Sequence, residues 1–584
     1  MKTILYFLSP YKKLCAFTLL AMILDVAGAL LIPRLTADMI NIGVTSGNMD
    51  YIFQKGLLMI LISLAAGGSA ILGSYFCARL SANMGKDMRN ALYDKSLSFS
   101  ARDFEQFTTG SMITRTLSDV NVVQQAVVWC IQMVLPVPVM CVLGIIMAFS
   151  TDLGMGLLLL GVTALVLALA ALVTKKAAFI FQRLQWFLDQ MNTVVRESLT
   201  GVRVIRAFNK EPFQEQRMRK TFQDYARSAI SVNRLFAGLD CFAFLAINFS
   251  VVGIIWLGGN RVGQGHMQIG DITAVTEYAI LILFYILMAQ MVILLLPRAH
   301  VCLGRIQAVL HQEPEILDPS QALREPFSQD PREPVAVFEE VSLRFPQADG
   351  DTLSHLSFAC RRGETTAIIG GTGSGKSTIG KLLLRFLDPT QGRILFRGVP
   401  LTQLTQKQLR RRIAYVPQKA WLFSGTIADN LRHGKPRASR EEMERALEVS
   451  QSHFVNSLPQ GLQSPVSQGG ANFSGGQKQR LSIARALMKK ADLYIFDDSF
   501  SALDFKTDAA LRKALAKELP FAAVLIIAQR ISTIQNASCI IVLDQGRIAG
   551  IGTHSQLMES CEIYRDILRS QTKGGEDRHV GNRI

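Results

Sequence analysis

The stretch Ala367–Thr378, AIIGGTGSGKST, decides how the rest of the chain is read. Thr365 to Ile369 is a short apolar and β-branched run, the composition of a strand buried in a parallel sheet. It turns at Gly370 and Gly371 and enters IGKLLLRFL, an amphipathic helical pattern. Gly370, Gly375, Lys376 and Ser377 fit the spacing G-x-x-x-x-G-K-[ST], with Gly371, Thr372, Gly373 and Ser374 between them and Thr378 following. Glycines let successive N–H groups turn inward around phosphate oxygens with no Cβ in the way. The helix N-terminus adds partial positive charge. Lys376 is placed to reach the outer phosphates and the Ser377 hydroxyl to bind Mg²⁺.

Working outward toward the N-terminus, the character changes. Of 584 residues, 49% are hydrophobic, and the net charge is +16. Six apolar runs are long enough to cross a bilayer, which takes about 20 helical residues: Leu14–Ile32, Leu57–Phe76, Val127–Phe149, Leu153–Val173, Leu235–Leu257 and Val275–Leu296. Gly67, Gly68 and Ser69 offer a small-residue surface for close helix packing. The loops between runs two and three and between four and five are long and basic, from Arg79 to Arg115 and from Lys175 to Arg234. The other connections are short, and Asp152 alone marks the one between runs three and four. Positive charge marks the cytoplasmic side, which puts both long loops and both termini there. It also accounts for much of the basic balance without nucleic acid as a partner. The long loops keep helical periodicity, so the spans are expected to continue out of the membrane and turn near Ala101–Thr109 and Asn209–Phe213. Met1–Pro10 reads either as an interfacial amphipathic lead or as a plain surface helix. The nine cysteines form no C-x-x-C pair, which indicates neither a zinc site nor a disulfide framework.

Residues 1–313 are therefore expected to form a membrane domain. Residues 314–334, rich in Pro and polar residues, read as a linker, 335–570 as a nucleotide-binding domain and 571–584 as a loose polar tail. VAVFEEVSLRF and GRILFRG have the pattern of antiparallel strands; TTAIIG, DLYIFDD and AVLIIAQ that of buried parallel strands.

Further motifs follow in order. YVPQKAWLFSGTI contains Gln418, and ANFSGGQKQRLSIARAL contains Ser474, Gly475, Gly476 and Gln477. ADLYIFDDSFSALD carries Asp497 and Asp498 and ends at Asp504. The set closely resembles the ATP-binding cassette (ABC) family, and the six preceding spans resemble its exporter half-transporters. The resemblance covers essentially the whole chain. It implies an all-α six-helix exporter domain followed by an α/β P-loop ATPase with an antiparallel β subdomain and a helical subdomain. It implies ATP and Mg²⁺ as cofactors, with Ser377, Gln418 and Asp497 around the metal. Phe345 stands where the family often stacks an aromatic ring on adenine; a core aromatic is the other reading. Ser474–Gln477 would bind the nucleotide of a second subunit, and Asp504 closes the D-loop.

Two positions depart from the pattern. The family usually has glutamate as general base where this chain has Asp498, and a γ-phosphate-contacting histidine where it has Gln529. Aspartate is one methylene shorter, and glutamine carries no titratable charge. The combination, with an intact signature segment apart from Phe473 in place of leucine, resembles the degenerate-site subunit of bacterial heterodimeric multidrug-type exporters. That implies a second half-transporter as partner, in contact with membrane lipid at the plasma membrane. A homodimeric exporter and a non-transporting ATP-gated membrane regulator remain open. A soluble DNA-associated ATPase is opposed by the six spans. Asp25, Asp240, Asn248, Glu277 and Gln290 lie in or near spans and read as substrate contacts or as packing residues. Drugs, lipids and peptides are the family's substrate classes.

Overall fold

The computed structural model describes residues 2–293, 295–319, 327, 330, 332–346 and 348–580. It divides into two compact units, Met1–Ser98 with Gln106–Glu313, and Phe99–Glu105 with Pro314–Ile584.

The first unit is helical. Among the described residues, six helices are long and apolar enough to cross a membrane, as expected. The helix Lys12–Asp38 continues through Pro33, one residue past the expected end of the first span. Two starts are fixed by side-chain caps. Asn48 accepts from the Tyr51 N–H ahead of Met49–Leu97, and Asp152 accepts from the Gly154 and Met155 N–H groups ahead of Leu153–Thr200. The lone acidic residue in the third connection is thus an N-cap. Leu30, Met140, Ile254, Tyr278 and Ile282 are buried inside the bundle, while Leu64, Ile71, Phe249 and Trp256 point outward, as a lipid-facing surface requires.

Spans one and two approach closely, but not at Gly67 and Gly68. A Cβ at either would meet nothing within 4 Å. The contact is at Gly28, where a Cβ would lie 2.6 Å from that of Ala66. Helical phase decides this: the face that carries Ala66 is turned toward span one. Asp240 accepts from Gln290 Nε2 at 3.0 Å, so two of the span polar residues satisfy each other. Asn248 bonds the Phe244 carbonyl of its own helix.

The spans do continue as long helices. Leu153–Thr200 has 48 residues and Glu211–Gly263 has 53. Between them lies a short helix, Val202–Ala207, followed by Asn209 at a positive φ of 49°. The other turning point holds the short helix Ala101–Phe107, whose residues up to Glu105 group with the second unit.

The second unit contains a four-stranded antiparallel sheet of Leu353–Cys360, Ala336–Leu343, Gln391–Phe396 and Val399–Pro400, in that spatial order. Beside it a six-stranded sheet runs Arg547–Gly552, Cys539–Asp544, Thr365–Gly370, Ala523–Ile527, Leu493–Asp497, Ile413–Val416. All neighbours in it pair in parallel except the Arg547–Gly552 edge strand. The strands Thr365–Gly370, Leu493–Asp497 and Ala523–Ile527 are apolar and covered on both faces, which is why they read as continuous apolar runs. A separate helical cluster is built on Leu422, Ile427, Leu447, Phe473 and Leu481. Much of the segment assigned to a linker lies outside the described residues. The stretch assigned to a polar tail is helical to Val580, in the helix Glu562–Val580; residues 581–584 lie outside the described residues.

Candidate nucleotide-binding site

The loop after Thr365–Gly370 owes its shape to its glycines. Gly373 and Gly375 have φ of 84° and 92°, the left-handed region that side chains resist. A Cβ on Gly370 would sit 2.1 Å from the Leu543 carbonyl oxygen, and one on Gly375 would sit 2.5 Å from Leu353 Cδ2. The Cβ directions of Gly371 and Gly373 meet nothing within 4 Å. Two glycines therefore let the loop fit its own protein, and two leave a cradle of backbone amides unobstructed, the fit that a polyphosphate needs. The helix Lys376–Leu383 starts directly behind that cradle. Lys376 Nζ donates to the carbonyls of Gly370 at 3.0 Å and Gly371 at 2.6 Å. Burial pulls its pKa down, while Asp498 and Asp497 pull it back up.

Ser377 and Asp497, 120 positions apart in sequence, meet at 2.8 Å, with Ser377 Oγ donating to Asp497 Oδ1. Tyr415 OH donates to Asp497 Oδ2 at 3.3 Å. Asp497 is buried, and burial raises its carboxyl pKa despite those donors. A hydroxyl and a carboxylate are hard oxygen ligands that suit Mg²⁺. Among the described residues no three His, Cys, Asp or Glu gather to hold a metal alone. The donor set therefore fits an ion that takes its remaining ligands from phosphate and water. Ser377 and Asp497 would hold it there, where it would neutralise phosphate charge.

Asp498 follows with a φ of 46°, its N–H donating to the Ile527 carbonyl at 2.8 Å. This left-handed turn carries its carboxylate to Gln418 and Gln529. Gln418 Nε2 donates to Asp498 Oδ2 at 3.2 Å and Gln529 Nε2 donates to the same oxygen at 2.9 Å. Burial raises the Asp498 pKa, and the Gln418 hydrogen bond opposes it. Loop, lysine, serine, both aspartates and both glutamines thus form one connected constellation.

The signature segment is not joined to it. Among the described residues, no hydrogen bond links Ser474, Gly475, Gly476 or Gln477 to the phosphate loop. Ser474 instead caps the helix Gly475–Leu487 in a reciprocal box with Gln477. Gly475 has open space at its Cβ position, and Gly476 lies close to the Ala502 carbonyl, which a Cβ would approach to 3.1 Å. Asp504 caps Phe505–Glu518 through the Thr507 N–H. Phe345 is half-buried against the core beneath the antiparallel sheet. Thr372 and Thr378 sit in the loop and in the helix behind it.

Sequence reasoning missed two residues here. Tyr415 lies three residues before Gln418 on the strand Ile413–Val416, and its place in that strand was the available signal. Gln571 Nε2 donates to the Gln529 carbonyl at 2.7 Å; it is the first residue of the polar stretch 571–584.

Comparison with known proteins agrees with this geometry. Residues 14–287 match the ABC transporter transmembrane region family, and residues 353–501 match the ABC transporter family. An uncharacterized ABC transporter ATP-binding protein of Mycobacterium tuberculosis (strain CDC 1551 / Oshkosh) is 36% identical over 580 residues, covering 98% of each chain. The chain belongs to the ABC transporter family, with membrane region and ATPase fused. An ATP-dependent lipid A-core flippase of Chromobacterium violaceum is 29% identical over 96% of both chains. The fold is that of the solved bacterial Atm1-family ABC exporter with ATP bound, at a TM-score of 0.80, 24% identity and coverage of 96% of this chain and 98% of that one.

Proposed function

We propose that this chain is one half of a heterodimeric ABC exporter in the plasma membrane, with its ATPase domain and both termini cytoplasmic. It binds Mg²⁺–ATP on the loop Gly370–Thr378, with Lys376 on the outer phosphates and Ser377, Gln418 and Asp497 toward the metal. Its own site hydrolyses slowly. Ser474–Gln477 and Asp504 complete the partner's site, where turnover occurs. The cargo is an amphipathic small molecule, of the lipid, drug or peptide classes.

The observation that carries this reading is the pairing of Asp498 with two uncharged amides. A general base must reach a water and hand its proton on. Here one carboxylate oxygen is already taken by Gln418 and Gln529. A glutamine in the switch position can donate a hydrogen bond to a phosphate but cannot share a proton. The signature segment, by contrast, keeps its N–H groups at a capped helix start, the arrangement that receives phosphate.

The test is ATPase and ATP-dependent flux in vesicles. Vesicles carrying this chain alone should show little of either, and vesicles carrying it with a second half-transporter that has glutamate and histidine at the positions of Asp498 and Gln529 should show both. Robust turnover and flux by the lone chain would establish the homodimeric reading instead. Turnover without flux by the pair would point to a regulator. The homodimeric reading has one observation in its favour: burial raises the Asp498 pKa, which strengthens it as a base.

A further inference from the structure

The C-terminal helix Glu562–Val580 reaches the backbone on either side of Arg530, next to the candidate nucleotide site. Tyr564 is fully buried, and Ile563, Ile567 and Leu568 pack against the core beneath the parallel sheet. Tyr564 OH also pairs with His554 Nδ1 at 2.8 Å. Positions 564, 568 and 571 fall on one helical face, so seating the apolar pair delivers Gln571. Its Nε2 donates to the Gln529 carbonyl at 2.7 Å, and its Oε1 accepts from the Ile531 N–H at 3.0 Å. One rigid amide therefore grips an acceptor and a donor two residues apart.

Both gripped groups need a partner. Ile531 opens the four-residue helix Ile531–Ile534, and its N-cap, Arg530, makes no side-chain cap. The Ile531 N–H is one of the orphan donors of a helix start, and Gln571 supplies the cap from another element. Arg530 lies over the Phe505 ring at 5.5 Å, and the Gln529 side chain turns to Asp498. The segment is thus held on three sides.

We propose that Gln571 is a positioning residue of the nucleotide site, which aims Gln529 at Asp498 through the backbone it clamps. Rotation of the 529–531 backbone breaks one of the two bonds, so the clamp limits where the Gln529 amide can point. The role rests on the reading that this chain's own loop binds ATP. It also moves the functional end of the ATPase domain beyond residue 570.

The test uses the assembled transporter in lipid nanodiscs, with hydrogen exchange on the apo protein and labelling of this chain by an azido-ATP photoprobe. Gln571→Ala should speed exchange in peptides covering 529–534 by about twofold to tenfold, the worth of one or two net hydrogen bonds. Peptides covering 554–568 should not change. Gln571→Glu keeps the acceptor for Ile531 and loses the donor to Gln529, so its exchange should fall between wild type and Gln571→Ala. Half-saturation of photolabelling should rise in both variants, and more in Gln571→Ala than in Gln571→Glu. Unchanged exchange at 529–534, equal loosening of 554–568, or unchanged labelling would each overturn the positioning role. Lys376→Ala separates the two readings. If it leaves labelling intact, the ATP assignment fails, while the exchange result on the apo protein still decides the clamp.

Discussion

Gln529 Nε2 donates to Asp498 Oδ2 at 2.9 Å, and that same oxygen accepts from Gln418 Nε2 at 3.2 Å. The carboxylate that would serve as base is held by two groups that cannot take a proton from it. Lengthening the acid and making the switch residue titratable should therefore release activity. The double variant Asp498→Glu with Gln529→His should raise phosphate release by the purified lone chain by about 10²-fold, the lower end of what a positioned base contributes. A lone-chain rate that does not move would show that something other than these two side chains limits it.

If the chain works in the heterodimer proposed above, the same site should matter little in the assembled pair. Asp498→Asn should change steady-state ATPase less than about threefold, because little chemistry is assigned to it. Ser474→Ala should lower the rate by about 10²–10³-fold, the cost of one donor to a transferring phosphoryl group. Part of its effect is structural, since losing an N-cap costs about 1 kcal/mol of stability. A melting curve with and without nucleotide separates the two. Near-complete loss in Asp498→Asn with a mild Ser474→Ala would make Asp498 a working base.

Lys376 lies against the Gly370 and Gly371 carbonyls, where a phosphate would draw it away. Removing it deletes a charge-assisted contact, worth about 1.5–3 kcal/mol. Lys376→Ala should weaken ATP binding by this chain between about tenfold and a hundredfold, read by equilibrium nucleotide binding to the full transporter.

The Asp497 carboxyl gives a pH prediction. Burial raises its pKa above the ordinary 3.8. A raised folded-state pKa means that the folded chain binds this proton more tightly than the unfolded one. The stability it contributes is complete below pH 3.8 and is lost as pH rises through the folded value. Metal binding runs the other way, because Mg²⁺ needs the ionised acid. Without metal, Asp497→Asn should melt at or above the wild-type temperature at pH 7, and Mg²⁺ should raise the melting temperature of the wild type only. A variant that melts lower without metal would show that the ionised carboxylate is stabilising on its own.

Much of this was legible because the signals are local. The phosphate loop announces itself by φ-permissive glycines at fixed spacing, and the parallel strands by being apolar on both faces. The six spans follow from length and composition. What escaped notice depends on phase and distance. Gly67 and Gly68 have the right size for helix packing but lie on a face that no described helix of this chain meets, and within the chain Gly28 with Ala66 takes that role. Gln571 belongs to a polar stretch whose composition suggests a tail; only the buried Tyr564 a few residues earlier shows that the helix is docked. The meeting of Ser377 with Asp497 was expected from motif order, whereas Tyr415 was hidden inside an ordinary strand.

The helices Leu153–Thr200 and Glu211–Gly263 contain 48 and 53 residues. At about 1.5 Å per residue such rods run to roughly 70–80 Å, against a hydrocarbon layer of about 30 Å. More than half of each is a lever outside the bilayer. A tilt of about 5° at the membrane would swing a lever tip 40 Å away by roughly 3–4 Å. The same rigidity makes the rods unforgiving of length. One inserted residue turns everything beyond it in that helix by about 100° around the axis, so a chain lengthened there could fold both units and still present the wrong side of that rod at its far end.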